Sequence, residues 1–149
     1  MVARANTLRG LTSLLLALAL TLSSGAFAQD ELRATFFKEA DAAKAAADEA
    51  NAELLAPRSY GRGAREYEDA EEALRRGRNI ETVRSNAADA VEYFRTAAEA
   101  ASLASTALAQ VMKSRQDAAN ARAPELSSEI WTSAQRKFAD AIRLLERGD

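Results

Sequence analysis

The side chains of this 149-residue chain that could do chemistry are few in type. The sequence contains no histidine and no cysteine, so the commonest metal ligands, the usual general base and thiol nucleophiles are all missing. Serine–lysine catalysis would need the two side chains together, and they adjoin only at Lys113-Ser114, where neighbouring helical residues point in different directions. The sequence therefore predicts a protein that is not an enzyme.

A cluster of acidic residues raises the question of a divalent-metal site: Glu66, Glu68, Asp69, Glu71 and Glu72. Carboxylate oxygens are the ligands that calcium and magnesium take. The spacing lacks the Asp-x-Asp-x-Asp-Gly pattern of a calcium-binding loop. Arginines four residues from several of these acids favour solvated ion pairs instead. We therefore expect no metal and no cofactor.

Four arginines are the candidate binding residues: Arg75, Arg76, Arg78 and Arg84. They flank Gly77 and would form a basic tip between two helices. One interpretation is contact with an anionic partner, such as lipid headgroups, lipopolysaccharide, peptidoglycan or an acidic protein. The other is that cations at a helix C-terminus complement the helix dipole. The second is favoured, because Arg143 and Arg147 stand near the end of a matching helix later in the chain.

The first 28 residues have the pattern of an export signal. Arg4 and Arg9 supply a positive start, residues 11–22 an apolar core, and residues 26–28 the small-x-small pattern that places cleavage after Ala28. An uncleaved membrane anchor is disfavoured, because the strongly apolar part falls short of the roughly 20 residues that span a bilayer. Since no cysteine is present to carry a lipid, we predict a periplasmic protein that is not a lipoprotein and whose mature chain has no transmembrane span.

Residues 29–149 are expected to form one helical domain. Alanine fills 30 of these 121 positions, and alanine has the highest helix propensity but buries little area. The same residues include 18 basic and 22 acidic side chains, a formal charge of −4, which does not suggest a nucleic-acid binder. We predict long helices that pack closely along narrow seams.

Four helical segments follow from periodicity and from helix-breaking residues. They run from about residue 30 to 55, from 59 to 76, from 80 to 122, and from there to residue 147. Ala-Pro pairs at 56–57 and 123–124 and Gly77 mark the breaks. Ser59 and Asn79 are the expected N-caps.

Apolar residues on the last two segments are expected to be buried. The third segment carries small residues at alternating steps of three and four, which is coiled-coil periodicity. These are Val83, Ala87, Ala90, Phe94, Ala97, Ala101, Ala104, Leu108 and Val111. The candidates on the fourth are Leu126, Ile130, Trp131, Ala134, Phe138, Ala141 and Leu145. The aromatic residues could line a ligand groove, but filling of the core is favoured.

The sequence of one helix occurs twice in the chain. REYEDAEEALRRG at 65–77 returns as RKFADAIRLLERG 71 positions later, and Tyr67 returns as Phe138. The copies centre on residues 60–77 and 131–148, and each follows an Ala-Pro pair. Such repeats arise when each unit needs a neighbour to cover its apolar stripe. The prediction is an all-α fold, an elongated antiparallel helical bundle or coiled coil of about four helices that contains a duplicated hairpin.

Two arrangements of this bundle are open. In one, the first two segments form a single kinked arm that lies antiparallel to the third. In the other, the chain reverses fully at Ala56-Pro57 and the bundle is shorter and thicker. We favour the long arm. A third long helix would begin where the sequence stops, so either the duplication is complete or a downstream region follows.

The sequences LAPRSYGRGAREYEDAEEALRRGR and APELSSEIWTSAQRKFADAIRLLERGD carry a resemblance that covers residues 32–148. Together with the signal peptide they resemble an uncharacterised alanine-rich helical domain of Gram-negative envelope proteins, which in some relatives precedes an OmpA-like peptidoglycan-binding domain. The resemblance implies location and architecture and brings no catalytic residues.

The expected function is therefore that of an exported, non-enzymatic helical scaffold or spacer of the bacterial cell envelope. It would act through a protein partner or through self-association. The alternative is an envelope lipid- or peptidoglycan-binding module that uses the basic tip.

Overall fold

The computed structural model describes residues 31–148, so the predicted signal peptide at 1–28 and the cleavage site after Ala28 lie outside the described residues. The chain divides into two units between Lys38 and Glu39. In the first unit, residues 31–38 are described. They are helical, and the Arg33 guanidinium lies 5.2 Å from the centroid of the Phe37 ring.

The prediction of an all-α fold is confirmed. The helices are α1 (31–49), α2 (Ala52–Leu55), α3 (Pro57–Arg75), α4 (Ile80–Ala107), α5 (Ala109–Asn120), α6 (Ala123–Leu126) and α7 (Ser128–Arg147). Between residues 31 and 148 there is no strand. None of the helices in that range is both long and apolar enough to cross a membrane.

The helix breaks each begin at a left-handed residue before the Ala-Pro pair. The first and third segments end before the Ala-Pro pairs, at Asn51 and Arg122, whose φ angles of 55° and 60° are left-handed. Pro57 and Pro124 instead occupy the first or second position of α3 and α6. A proline fits there because those N–H groups have no partner within the helix. Breaks therefore occur close to both Ala-Pro pairs, as predicted: α2 ends at Leu55 and Ala56 is not helical. Each proline lies in the first turn of the helix that follows. A further break at Leu108, where φ is −105° and ψ is 12°, separates α4 from α5.

The chain reverses between α1 and α3. The Tyr60 hydroxyl donates to Asp48 Oδ1 at 2.6 Å, and the Tyr67 hydroxyl donates to Asp41 Oδ1 at 2.5 Å. Because the acceptors descend along α1 as the donors ascend along α3, the two helices are antiparallel. The favoured long arm was wrong, since the left-handed residue at Asn51 and a second bend at Ala56 (φ −146°, ψ 56°) together turn the chain around.

A tight turn places α4 antiparallel to α3. At the end of α3 the Arg78 N–H donates to the Ala73 carbonyl and the Gly77 N–H to the Leu74 carbonyl, with Gly77 at φ 62°. This is the Schellman arrangement that a glycine after a helix predicts. Asn79 then caps α4 by accepting from the Glu81 N–H at 3.0 Å, as predicted. The predicted cap Ser59 was wrong, because α3 begins at Pro57.

The core forms where α1, α2 and α3 accompany α4. Its members are alanines and a few larger side chains, of which Phe94, Leu55 and Ile142 are almost fully buried. The predicted seam of α4 is buried from Val83 to Ala104, but Val111 on α5 is 47% exposed. The prediction fails past Leu108 because α5 lacks the neighbours that surround α4.

The segments that join the two helices of each copy, residues 51–56 and 122–127, are called the elbows here, and they have the same backbone conformation. At an offset of 71 residues, the left-handed Asn51 recurs at Arg122, and Ala56 recurs at Ser127 with φ −148° and ψ 55°. Each copy follows an Ala-Pro pair, but the two pairs do not correspond at this offset. The repeated feature is a pair of bends around a four-residue helix, α2 in one copy and α6 in the other.

Candidate functional site

The four arginines of the predicted basic tip surround the α3–α4 turn, and all are exposed. Arg76 forms an ion pair with Glu72 one turn earlier. Arg84 pairs with Glu81 at 3.2 Å. Arg75 and Arg78 form no ion pair with another described residue. The positive charge of the turn is therefore balanced in part by acids of the same helices.

The acid cluster and the lysine–serine pair do not assemble into sites. Across residues 31–148, no three acidic side chains converge as they would around a metal ion. The Lys113 ammonium donates to Asp117 Oδ2 at 2.7 Å on the same helix. Ser114 lies on another face of α5, where it lines the groove described below.

A polar cluster that sequence reasoning missed joins α1 to α3. The Lys44 ammonium lies 2.8 Å from Asp48 Oδ2 and donates to the Tyr60 hydroxyl at 3.3 Å, while that hydroxyl donates to Asp48 Oδ1. The hydrogen bond from Lys44 lowers the pKa of the Asp48 carboxyl. The hydrogen bond to Asp48 raises the pKa of Tyr60 and also that of Lys44. The group is largely solvated, so we assign it to holding the hairpin together.

The candidate site is an apolar groove between α5 and α7, with a volume of about 270 Å³. Trp131, the single tryptophan of the chain, lies half-buried along it. The Arg115 guanidinium lies 5.9 Å from the Trp131 ring centroid and 5.6 Å from that of Phe138, and its Nε donates to Gln135 Oε1 at 2.9 Å. The lining residues are Val111, Ser114, Arg115, Ala118, Ala123, Ser127, Ile130, Trp131, Ala134, Gln135 and Phe138.

Exposed apolar side chains lie in the groove, at Ile130, and outside its lining, at Leu126 and Leu144. Leu126 is 75% exposed, Ile130 73% and Leu144 44%. The prediction that Leu126 and Ile130 are buried was wrong, whereas Phe138 is buried as expected. Leu126 lies on the four-residue helix α6 and Ile130 on the first turn of α7, where no other described helix covers them. Exposed apolar side chains beside an apolar groove make this surface the candidate site, because large exposed apolar patches are typical of interaction sites.

Sequence reasoning considered an aromatic-lined groove but favoured filling of the core, and it assigned Ile130 and Ala134 to the core as well. The repeat carried a usable signal, since each lining residue has a counterpart 71 positions earlier. Those counterparts lie on α1, α2 and α3 and at the bend at Ala56, and many of them are buried in the core that α4 helps to form.

Fold and groove together define the class as an all-α protein with an apolar surface suited to binding. The chain matches no protein-family model, no curated protein and no solved structure.

Proposed function

We propose that this protein is an exported, non-enzymatic helical scaffold or spacer of the bacterial cell envelope that acts by binding another protein. The observation that carries the proposal is the exposed apolar surface of α6 and α7. Burial of apolar area contributes roughly 25 cal/mol per Å². Side chains such as Leu126 and Ile130 therefore stabilise a complex more than they stabilise the isolated domain.

Export rests on the sequence of the first 28 residues. A positive start, an apolar core and a small-x-small ending are the parts that the secretion machinery and signal peptidase recognise. Tagging the C-terminus, fractionating the cells and sequencing the N-terminus of the product tests this part. We expect periplasmic protein that begins at Gln29. Cytoplasmic protein that retains Met1 contradicts it.

Binding to another protein is tested by site-specific photo-crosslinking in living cells. A photoreactive amino acid is placed in turn at Ile130, at Leu103 on α4, and at Arg78 in the basic turn. We expect a discrete adduct from at least one position that persists at low expression. If none of the three surfaces yields an adduct, the scaffold proposal fails.

A second candidate function is binding of an anionic envelope component through the basic tip. It is favoured by the exposure of Arg75 and Arg78, which form no ion pair with another described residue. Co-sedimentation with anionic vesicles and with peptidoglycan at two salt concentrations tests it. We expect salt-sensitive binding that the pair Arg75→Ala and Arg78→Ala abolishes. Binding that survives both substitutions excludes the tip.

A further inference from the structure

Equivalent residues in the two copies differ in exposure. Leu55 on α2 is 1% exposed, whereas Leu126, its counterpart on α6, is 75% exposed. Ala40 on α1 is fully buried, whereas its counterpart Val111 is 47% exposed. The side chains at these positions are apolar in both copies. The difference is therefore in what covers them.

The same contrast extends along the shorter helix of each hairpin. Ala73 on α3 is 4% exposed, and its counterpart Leu144 on α7 is 44% exposed. Gly63 on α3 is buried, and its counterpart Ala134 on α7 is exposed. These positions on the long helix, the elbow and the short helix are thus covered in the first copy and exposed in the second, while Phe138 between them stays in the core.

The helix that covers the first copy is α4. The Phe94 ring lies edge-on to Tyr60, with centroids 5.5 Å apart, and to Tyr67, with centroids 6.4 Å apart. A Cβ placed on Gly63 would lie 2.9 Å from this ring, so α4 approaches α3 closely there. The alanines of α4 fill the rest of the stripe. The first copy therefore shows what this surface is shaped to hold, which is one amphipathic helix with a seam of small residues.

We propose that the α5–α7 groove binds a single alanine-rich amphipathic helix of another protein, laid antiparallel to α7 as α4 lies against α3. This inference rests on the proposed function and names the kind of partner. The groove runs on from the interface that α7 already makes with α4, because Phe138 belongs both to the core and to the groove lining. A bound helix would extend the existing bundle by one more member.

A second copy is not the expected occupant, because residues 31–148 contain no free helix of this kind. The helix with the matching seam, α4, has that seam buried within its own chain from Val83 to Ala104. Two open grooves placed face to face would leave the stripe of each without a helix to fill it. A helix with an unpaired seam must therefore come from outside the described residues, and we assign it to a partner protein.

Two differences between the grooves specify the partner further. Ala134 stands where the first copy has Gly63, and its Cβ leaves no room for a phenylalanine placed like Phe94, so the partner carries a smaller apolar residue there. Arg115 stands where the first copy has Lys44, but Ala119 replaces the acid at the position of Asp48. Since Arg115 forms no ion pair with another described residue, a partner helix with a carboxylate over the groove complements its charge.

The experiment uses α4 itself as the probe. A synthetic peptide with the sequence of Ile80–Ala107 and the change Phe94→Leu carries the seam, four acidic residues and no tryptophan. It is titrated into the purified exported protein while Trp131 fluorescence is recorded. We expect a saturable blue shift as the peptide excludes water from the indole.

Two matched variants decide whether the groove is the site. Ile130→Asp places a charge on the stripe, and we expect it to weaken peptide binding at least about tenfold. Leu103→Asp makes the same change at a site 74% exposed on α4 and away from the groove, and should bind like the parent. Circular dichroism of both variants confirms that they fold, as expected for exposed positions.

A third variant tests whether Ala134 requires the partner residue at this position to be smaller than phenylalanine. Ala134→Gly restores the residue of the first copy and should reverse the preference between peptides. The parent protein should bind the Phe94→Leu peptide better than the peptide of unchanged sequence, and Ala134→Gly should favour the peptide of unchanged sequence. An unaltered preference means that the peptide does not occupy the position of α4 and overturns the proposal.

Three other results overturn it. One is the absence of a saturable Trp131 response, and another is equal binding by Ile130→Asp. The third is a dimer in light scattering that Ile130→Asp dissociates, which would show a second copy on this surface. Photo-crosslinks separate these failures from failure of the scaffold function. Adducts at Leu103 or Arg78 without one at Ile130 keep the scaffold and exclude the groove.

Discussion

The carboxylate of Glu146 caps a helix that begins nearly 90 residues before it in the sequence. Its Oε1 accepts from the backbone N–H of Ser59 at 2.6 Å, and its Oε2 accepts from that of Arg58 at 3.2 Å. The N-cap residue of α3 is Ala56, which has no side-chain acceptor. A carboxylate at a helix N-terminus also interacts favourably with the helix dipole. The last turn of α7 thus ties the second copy of the repeat to the first turn of α3.

Replacement of Glu146 by alanine should destabilise the protein. Loss of an N-terminal cap costs about 1 kcal/mol, and the N–H groups of Arg58 and Ser59 would lose their acceptors. Urea unfolding followed by circular dichroism measures the change. Glu99→Ala removes an exposed glutamate from the middle of α4 and is the control, with an expected change below about 0.5 kcal/mol. Equal effects would show that the cap does not stabilise the fold.

Two glycines of α3 should respond oppositely to alanine. At Gly63 an added Cβ would lie 2.9 Å from the Phe94 ring, and we expect Gly63→Ala to destabilise by roughly 1–3 kcal/mol. At Gly61 the added Cβ would meet no other part of the protein within 4 Å beyond the adjoining backbone of its own helix, so Gly61→Ala should stabilise by up to about 1 kcal/mol through helix propensity. Thermal melts of the pair provide the test. A stabilising Gly63→Ala would mean that α3 and α4 are not in close contact.

The left-handed residues of the two elbows predict two substitutions with opposite effects on the melting temperature. Arg122 has φ 60°, which costs a side-chain-bearing residue about 1 kcal/mol, so Arg122→Gly should raise the melting temperature. Its ion pair with Glu125 is exposed and contributes little. Asn51 has φ 55° and is already a tolerant residue, so Asn51→Ala should lower the melting temperature. A destabilised Arg122→Gly would contradict the left-handed elbow.

The cluster of Lys44, Asp48 and Tyr60 predicts a pH-dependent contribution to stability. The folded-state pKa of Asp48 lies below its usual 3.8, so the contribution is present above that value and is lost as pH falls through the folded pKa. The pKa values of Tyr60 and Lys44 lie above their usual 10.0 and 10.5, so their contribution is lost as pH rises through the raised values.

The free-energy difference between the parent and Asp48→Asn should therefore be greatest between about pH 5 and pH 9. Because the groups are largely solvated, we expect a difference of less than about 1 kcal/mol that shrinks with added salt. Unfolding free energies measured across this range test it. The control is Asp117→Asn, which breaks a similar pair with Lys113 that has no tyrosine partner. A flat profile for Asp48→Asn removes the cluster as a stabilising element.

The predictions that held are those that depend on neighbours in the chain. Asn79 caps α4 and Gly77 ends α3 because each residue acts within one turn of itself. The seam of α4 was found because a repeating step of three and four places its residues on one face. Pro57 interrupts the helix before it as predicted, whereas Pro124 lies within the first turn of α6, because proline is tolerated at the start of a helix.

The candidate site was not predictable in the same way. Leu126 and Leu55 occur in the same pattern, yet one is exposed and the other buried. Nothing local distinguishes them, since the difference is made by α4, which covers Leu55 on α2 and leaves Leu126 on α6 exposed. The repeat related the two residues, but only the arrangement of helices showed which one is covered.

The sequence by itself determined a helical chain without histidine or cysteine, with two copies of one hairpin and with the caps of its α3–α4 turn. These are properties of composition and of short-range geometry. The tertiary structure decided that the chain reverses at Asn51 and Ala56, that Glu146 caps α3, and that one of two equivalent apolar stripes stays open. Each of these depends on which distant segment lies against a residue, and spacing along the chain does not specify that.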